Sequence, residues 1–131
     1  KTMVRVAVCG AHMSGLPLNH QLTERGGVLE RRCRSAALYR LFALTGFKPQ
    51  RPGMLRAGGG GGASIEVEVW RVPTEAFGSF VDGIPAPLGI GTVELEDGDT
   101  LRGFVCESYA VAGAEEITHV GSWGRYGEPH A

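Results

Sequence analysis

The residues best equipped for chemistry lie in one stretch, GAHMSGLPLNH, residues 10–20, directly after an opening β-branched run. Gly10 and Gly15 permit backbone turns that other residues resist, and such turns can aim several N–H groups at one point as an anion nest. His12 stands in the middle of the loop. Its ring titrates near neutral pH and is able to hold or pass a proton beside a bound carboxylate. Ser14 adds a hydroxyl, and Asn19 adds an amide that donates and accepts without titrating. Read together, Gly10, Ala11, Met13, Ser14, Gly15 and Asn19 would bind a small carboxylate-bearing, amide-like substrate, with His12 as its acid–base group. The plainer alternative is a tight turn carrying a surface histidine, and residue types alone leave both readings open.

Other motifs fail on their spacing. Gly10 and Gly15 form a GxxxxG, but Leu16-Pro17 follow where a phosphate loop needs Lys and then Ser or Thr. Ser14 lacks a GxSxG elbow, because position 12 is His. His12, His20, His119 and His130 show no HExxH or facial-triad spacing, so neither a metal nor a cofactor is expected. Glu66 and Glu68 share one strand face, as do Glu94 and Glu96, and the expectation is a solvent-facing role for both pairs. Cys9 beside the loop reads as a small buried hydrophobe.

The elements that must position the loop follow from periodicity and turn residues. Met3 to Val8 predicts a first strand. Asn19 is placed to cap a short helix through Arg25, closed by Gly26-Gly27. Val28 to Ser35 and Leu38 to Leu44 predict strands, and TGFKPQRPG between them and the next element reads as loop. Ile65 to Trp70 alternates with period two, as a half-buried strand does. Thr74 is placed to cap a helix whose Ala76, Phe77, Phe80 and Val81 share a face. Two more strands, IGTVELE and TLRGFVCESYAV, flank Asp97-Gly98-Asp99, a hairpin signal. The tail AEEITHVGSWGRYG predicts one short helix and an irregular end. Strands without regular alternation with helices predict an α+β domain with a mixed, mostly antiparallel sheet closed into a small β-barrel with flanking short helices.

Composition bounds the rest. The 131 residues support one domain spanning the chain, and Met3 reads as its native first residue, preceded by Lys1 and Thr2. Thirteen basic and fourteen acidic side chains give a net charge of −1, without the basic excess a nucleic-acid clamp needs. No apolar run is long enough to span a bilayer. Three cysteines without CxxC spacing argue against a disulfide framework and for a reducing, cytoplasmic setting. Twenty-one glycines, five of them in the run Gly58 to Gly62, mark many turns and one flexible hairpin tip.

The segment VAVCGAHMSGLPLNHQL resembles the signature of the C-terminal domain of allophanate hydrolase. Further matching segments are YRLFAL at 39–44, RPGMLR at 51–56, IEVEVWRVP at 65–73, IPAPLGIGTVEL at 84–95 and GFVCESYA at 103–110. The resemblance implies a γ-glutamylcyclotransferase-like fold and a place in urea and allophanate metabolism. It implies that an amidase-type domain releases ammonia from allophanate, and that this domain decarboxylates the resulting N-carboxycarbamate with the loop histidine, His12, as acid–base group. Such a doubly anionic substrate makes Arg40 a candidate for its second carboxylate, although Tyr39 and Arg40 alternate on a strand and only one can face the site. No Ser-Ser-Lys amidase machinery occurs in these residues, so the expectation is an excised domain or a stand-alone relative, partnered by a separately encoded amidase and compatible with a homo-oligomer. The alternative is a non-catalytic carboxylate-binding or assembly domain. Ile84 occupies the position of the cyclotransferase glutamate, which argues against γ-glutamyl cyclisation, since isoleucine cannot carry a proton.

Overall fold

The computed structural model describes residues 2–126. Lys1, His130 and the last residue of the tail segment, Gly127, lie outside that range.

The opening run forms β1 (Met3–Val8), and its final three residues are buried. They are buried because β1 is central. It pairs antiparallel with β5 (Glu66–Pro73), Val6 opposite Trp70, and parallel with β7 (Thr100–Cys106), Ala7 opposite Gly103. The five-stranded sheet runs β2-β5-β1-β7-β6, where β2 is Val28–Arg34 and β6 is Leu88–Glu94. A second sheet, β4-β3-β8, is built from β3 (Tyr39–Ala43), β4 (Pro52–Arg56) and β8 (Glu115–Glu116). Among the described residues, three short helices, α1 (His20–Thr23), α2 (Thr74–Asp82) and α3 (Trp123–Tyr126), accompany the sheets with a 3₁₀ turn at Ser108–Val111. The class is the expected α+β, with every described strand pairing antiparallel except β1 with β7.

The mixed, mostly antiparallel architecture is the expected one, and the barrel is partial, because the two sheets are not joined into one continuous cylinder. The edges of the larger sheet meet only at one end, where Ser35 bridges Leu95, Ala36 N–H donates to Glu94 O, and Glu96 N–H donates to Arg34 O.

Other departures have local causes. β4 begins at Pro52-Gly53, residues whose propensities point to a loop. Pro52 is tolerated as the first residue of an edge strand. A Cβ on Gly53 would stand 2.7 Å from Cys106 Sγ, so a tertiary close approach selects glycine there. β8 is only two residues long and had no sequence signal. The last strand ends at Cys106, and residues 108–111 coil into the 3₁₀ turn. Thr74 is the first helical residue of α2, with Pro73 at the cap position and no side-chain cap. In β5, Val67 to Trp70 are all buried, Glu68 included, because a neighbouring strand flanks it on each side and both its faces are covered. Among the described residues, no helix is long and apolar enough to cross a membrane.

Candidate active site

The loop after β1 is a chain of tight turns. Met13 N–H donates to Gly10 O at 3.0 Å, Leu18 N–H to Ala11 O at 2.8 Å and Asn19 N–H to Leu16 O at 3.1 Å. Gly15 has φ +79°, a conformation that favours glycine. Gly10 is required for a different reason, since a Cβ there would sit 2.5 Å from Pro52 Cδ of β4. The loop is therefore pressed against the second sheet.

Asn19 does not cap α1 through its side chain. Its Nδ2 donates to His12 O at 2.8 Å, so the amide braces the loop from inside, and the helix it precedes ends at Thr23. Ala11 and Met13 are buried in the packing.

His12 is only 4% exposed, which overturns the surface-histidine alternative. Its ring packs against Phe104 at 4.9 Å and Phe80 at 5.3 Å between centroids. Nε2 lies 2.7 Å from Gln21 Oε1. With that oxygen as acceptor, Nε2 carries the hydrogen and Nδ1 is left with a lone pair. Nδ1 makes no hydrogen bond among the described residues.

Burial lowers the His12 pKa to about 4, against a smaller opposing effect of the Gln21 bond. The ring is thus neutral at pH 7, where sequence alone suggested a group poised near neutrality. A consequence for stability follows. The folded pKa lies below the unfolded value, so the unfolded chain binds more protons between them, and stability falls as pH drops from 6.5 towards 4. The full loss is about 3 kcal/mol from one such histidine. Urea midpoints measured from pH 7 to 4.5 should fall in the wild type and fall less in His12→Gln; equal slopes would assign the effect elsewhere.

His12 lines a recess with Gly10, Ala11, Arg51, Leu88 and Phe104. Its inner space is about 10 Å³, room for roughly one water. The backbone amides of Ala11 and His12 donate to no described residue. The residues that line the recess thus include two with backbone amides that have no described acceptor, one imidazole and one guanidinium. That set suits a carboxylate oxygen in place of a water.

Ser14 faces the other way. Its N–H and Oγ–H both donate to Glu68 Oε1, at 2.7 and 3.1 Å. Trp70 Nε1–H donates to the same oxygen at 3.0 Å, and Arg32 Nε–H donates to Oε2 at 3.1 Å. The solvent-facing expectation for Glu68 is overturned: its carboxylate fills the turn that was expected to hold a substrate. Ser14 lines a separate cleft with Arg32, Glu66 and Glu68. Arg40 also stands apart. It forms a bidentate pair with Glu116, at 2.8 and 3.0 Å, over the Phe42 ring, and its hydrogen bonds, with that of Thr118, hold Glu116 down to about 2. Tyr39 is buried and its Oη accepts Glu94 N–H, so neither neighbour lines the recess. Cys9 does line it, but burial pushes its thiol up to about 12 and keeps it protonated. No cluster of three metal-ligating side chains occurs among the described residues.

Gln21, Arg51 and Glu68 were missed from sequence. Gln21 lies nine positions beyond His12 and meets it only through the turns. Arg51 sits in a segment that reads as loop. Glu68 lies in an alternating pattern that points it outward.

Residues 4–128 match the family model described as allophanate hydrolase C-terminal domain. The chain is 41% identical over 130 residues to urea amidolyase from Saccharomyces cerevisiae, covering 97% of this chain and 7% of that protein. It superposes on Kluyveromyces lactis allophanate hydrolase with TM-score 0.92 at 38% identity, covering 95% of this chain and 21% of the other. A uropathogenic E. coli-specific protein of solved structure matches with TM-score 0.89 at 37% identity, covering 99% of this chain and all of its own. The architecture is the γ-glutamylcyclotransferase-like one. The chain thus spans about 7% of the length of the curated relatives it matches, and it belongs to the allophanate hydrolase C-terminal domain family.

Proposed function

We propose that this domain decarboxylates N-carboxycarbamate or a closely similar small carboxylated amide within urea and allophanate breakdown. The observation that carries the reading is His12 in the lining of the recess, its Nε2 bonded to Gln21 and its Nδ1 without a hydrogen bond among the described residues.

The chemistry balances as follows. Loss of carbon dioxide from ⁻O₂C–NH–CO₂⁻ breaks one C–N bond, and its electron pair stays on nitrogen. One proton must arrive there, giving H₂N–CO₂⁻. A neutral imidazole is a poor donor, and His12 is neutral at pH 7 with no anion beside it. A bound anion reverses that balance, because a negative charge within a few ångströms raises the pKa of a neighbouring imidazole. Substrate binding thus draws a proton onto Nδ1, and C–N cleavage hands it to the departing nitrogen. Gln21 Oε1 holds the opposite N–H through both steps, as an orienting acceptor does. The amides of Ala11 and His12 bind the carboxylate that remains, donors placed before the charge arrives.

The substrate would come from an amidase, in the same polypeptide or a separate one. The experiment generates N-carboxycarbamate in situ with an allophanate-cleaving amidase and follows carbon dioxide release with and without this protein. Release faster than the uncatalysed decay supports the reading. Release at the uncatalysed rate leaves a carboxylate-binding or assembly domain that serves the amidase.

A further inference from the structure

Six arginines of this chain, Arg5, Arg31, Arg32, Arg40, Arg56 and Arg71, are held by carboxylates of the protein itself. Arg51 is not. Among the described residues it makes no ion pair and no side-chain hydrogen bond, and its guanidinium lies over the Phe47 ring, 5.6 Å from the centroid. It is half-buried, and it stands on the wall of the His12 recess immediately before Pro52, the residue that touches Gly10. A planar five-donor cation that has no carboxylate partner among the described residues, steadied on an aromatic face, is prepared to grip an external anion.

We infer that Arg51 is the specificity-determining residue of the recess, binding a second carboxylate and so selecting short dianions over monoanions. This deepens the proposed function and rests on its location of the site. The inner space admits roughly the bulk of one water, about 10 Å³, so one carboxylate oxygen occupies the floor near the Ala11 and His12 amides. The remainder of the guest then projects to the mouth, where Arg51 is the cationic side chain among the lining residues. A monoanion engages the floor or the guanidinium, and a short dianion engages both.

The experiment compares malonate and acetate by calorimetry and by thermal shift, on the wild type, Arg51→Gln and Arg51→Lys. The wild type should bind malonate at least tenfold more tightly than acetate. Arg51→Gln should lose about 10- to 100-fold in malonate affinity, the usual range for one charge-assisted pair, with acetate affinity little changed. Arg51→Lys should recover part of the loss, since it keeps charge but not the planar fork. The unliganded melting temperatures of the variants should stay near that of the wild type, because no protein carboxylate is orphaned by the change. Malonate binding that is absent in the wild type, or retained within twofold in Arg51→Gln, would overturn the assignment. Arg51-dependent malonate binding in a protein that fails to accelerate carbon dioxide release would sustain this inference while removing the proposed decarboxylation.

Discussion

Changing His12 to alanine is expected to slow carbon dioxide release by about 10²- to 10⁴-fold, the range over which a positioned proton donor contributes. The variant loses the only titratable ring lining the recess, and no other wall group can replace it: the Cys9 thiol is held protonated near 12, and a guanidinium does not release its proton. The substitution also removes a ring packed between Phe80 and Phe104, which costs stability as well. Folding must therefore be checked separately, and His12→Gln keeps the comparison clean because it fills more of the space and cannot shuttle a proton. Under the proposed mechanism both variants are slow while both remain folded and still bind malonate. The wild-type rate should decline as pH rises past the substrate-bound pKa of His12, and neither variant should show that decline. A His12→Gln protein with wild-type turnover would leave the ring as a packing element only.

The second large effect concerns stability. Glu68 is 5% exposed, and removing its carboxylate leaves Ser14 N–H, Ser14 Oγ–H and Trp70 Nε1–H without an acceptor. A buried donor left unpaired costs about 1–3 kcal/mol, so Glu68→Ala should destabilise by about 3–5 kcal/mol once the lost packing is included. That is a large part of the 5–15 kcal/mol typical of a domain this size. Glu68→Gln retains an oxygen for Ser14 and Trp70 and gives up only the charge facing the largely exposed Arg32, so its penalty should be well under half. Urea denaturation of the three proteins measures both values. An alanine variant within about 1 kcal/mol of the wild type would mean that water reaches and satisfies those donors.

How much of this was legible beforehand can be traced residue by residue. β1, β2, β3 and the Asp97-Gly98-Asp99 hairpin were readable because their apolar periods and turn residues agree with their final surroundings; Gly98 adopts φ +91° as the turn requires. β4 was not, since Pro52 and Gly53 are selected by contacts with Gly10 and Cys106 that no local pattern encodes. The loop at residues 10–19 was recognisable as the unusual segment, and its inner wiring was not. Asn19 looked like a cap and a binding group, but its amide is spent on His12 O. Glu68 looked exposed because alternation assigns a residue to a face without saying whether that face is covered. Arg40 and Arg51 are alike by residue type. Only tertiary placement gives the first a carboxylate partner and leaves the second without one among the described residues.

The loop that carries His12 follows a strand of the larger sheet, whereas Arg51 and Pro52 enter from the smaller one. Under the proposed function, binding competence would be a property of the seam, and neither half would own it. A lesion that let the small sheet slip by an ångström or two would leave circular dichroism almost untouched and melting still cooperative, yet the protein would be deaf to its ligand. Variants of this kind would pass every routine check of foldedness and be discarded as catalytic mutants, although no reacting group had been altered.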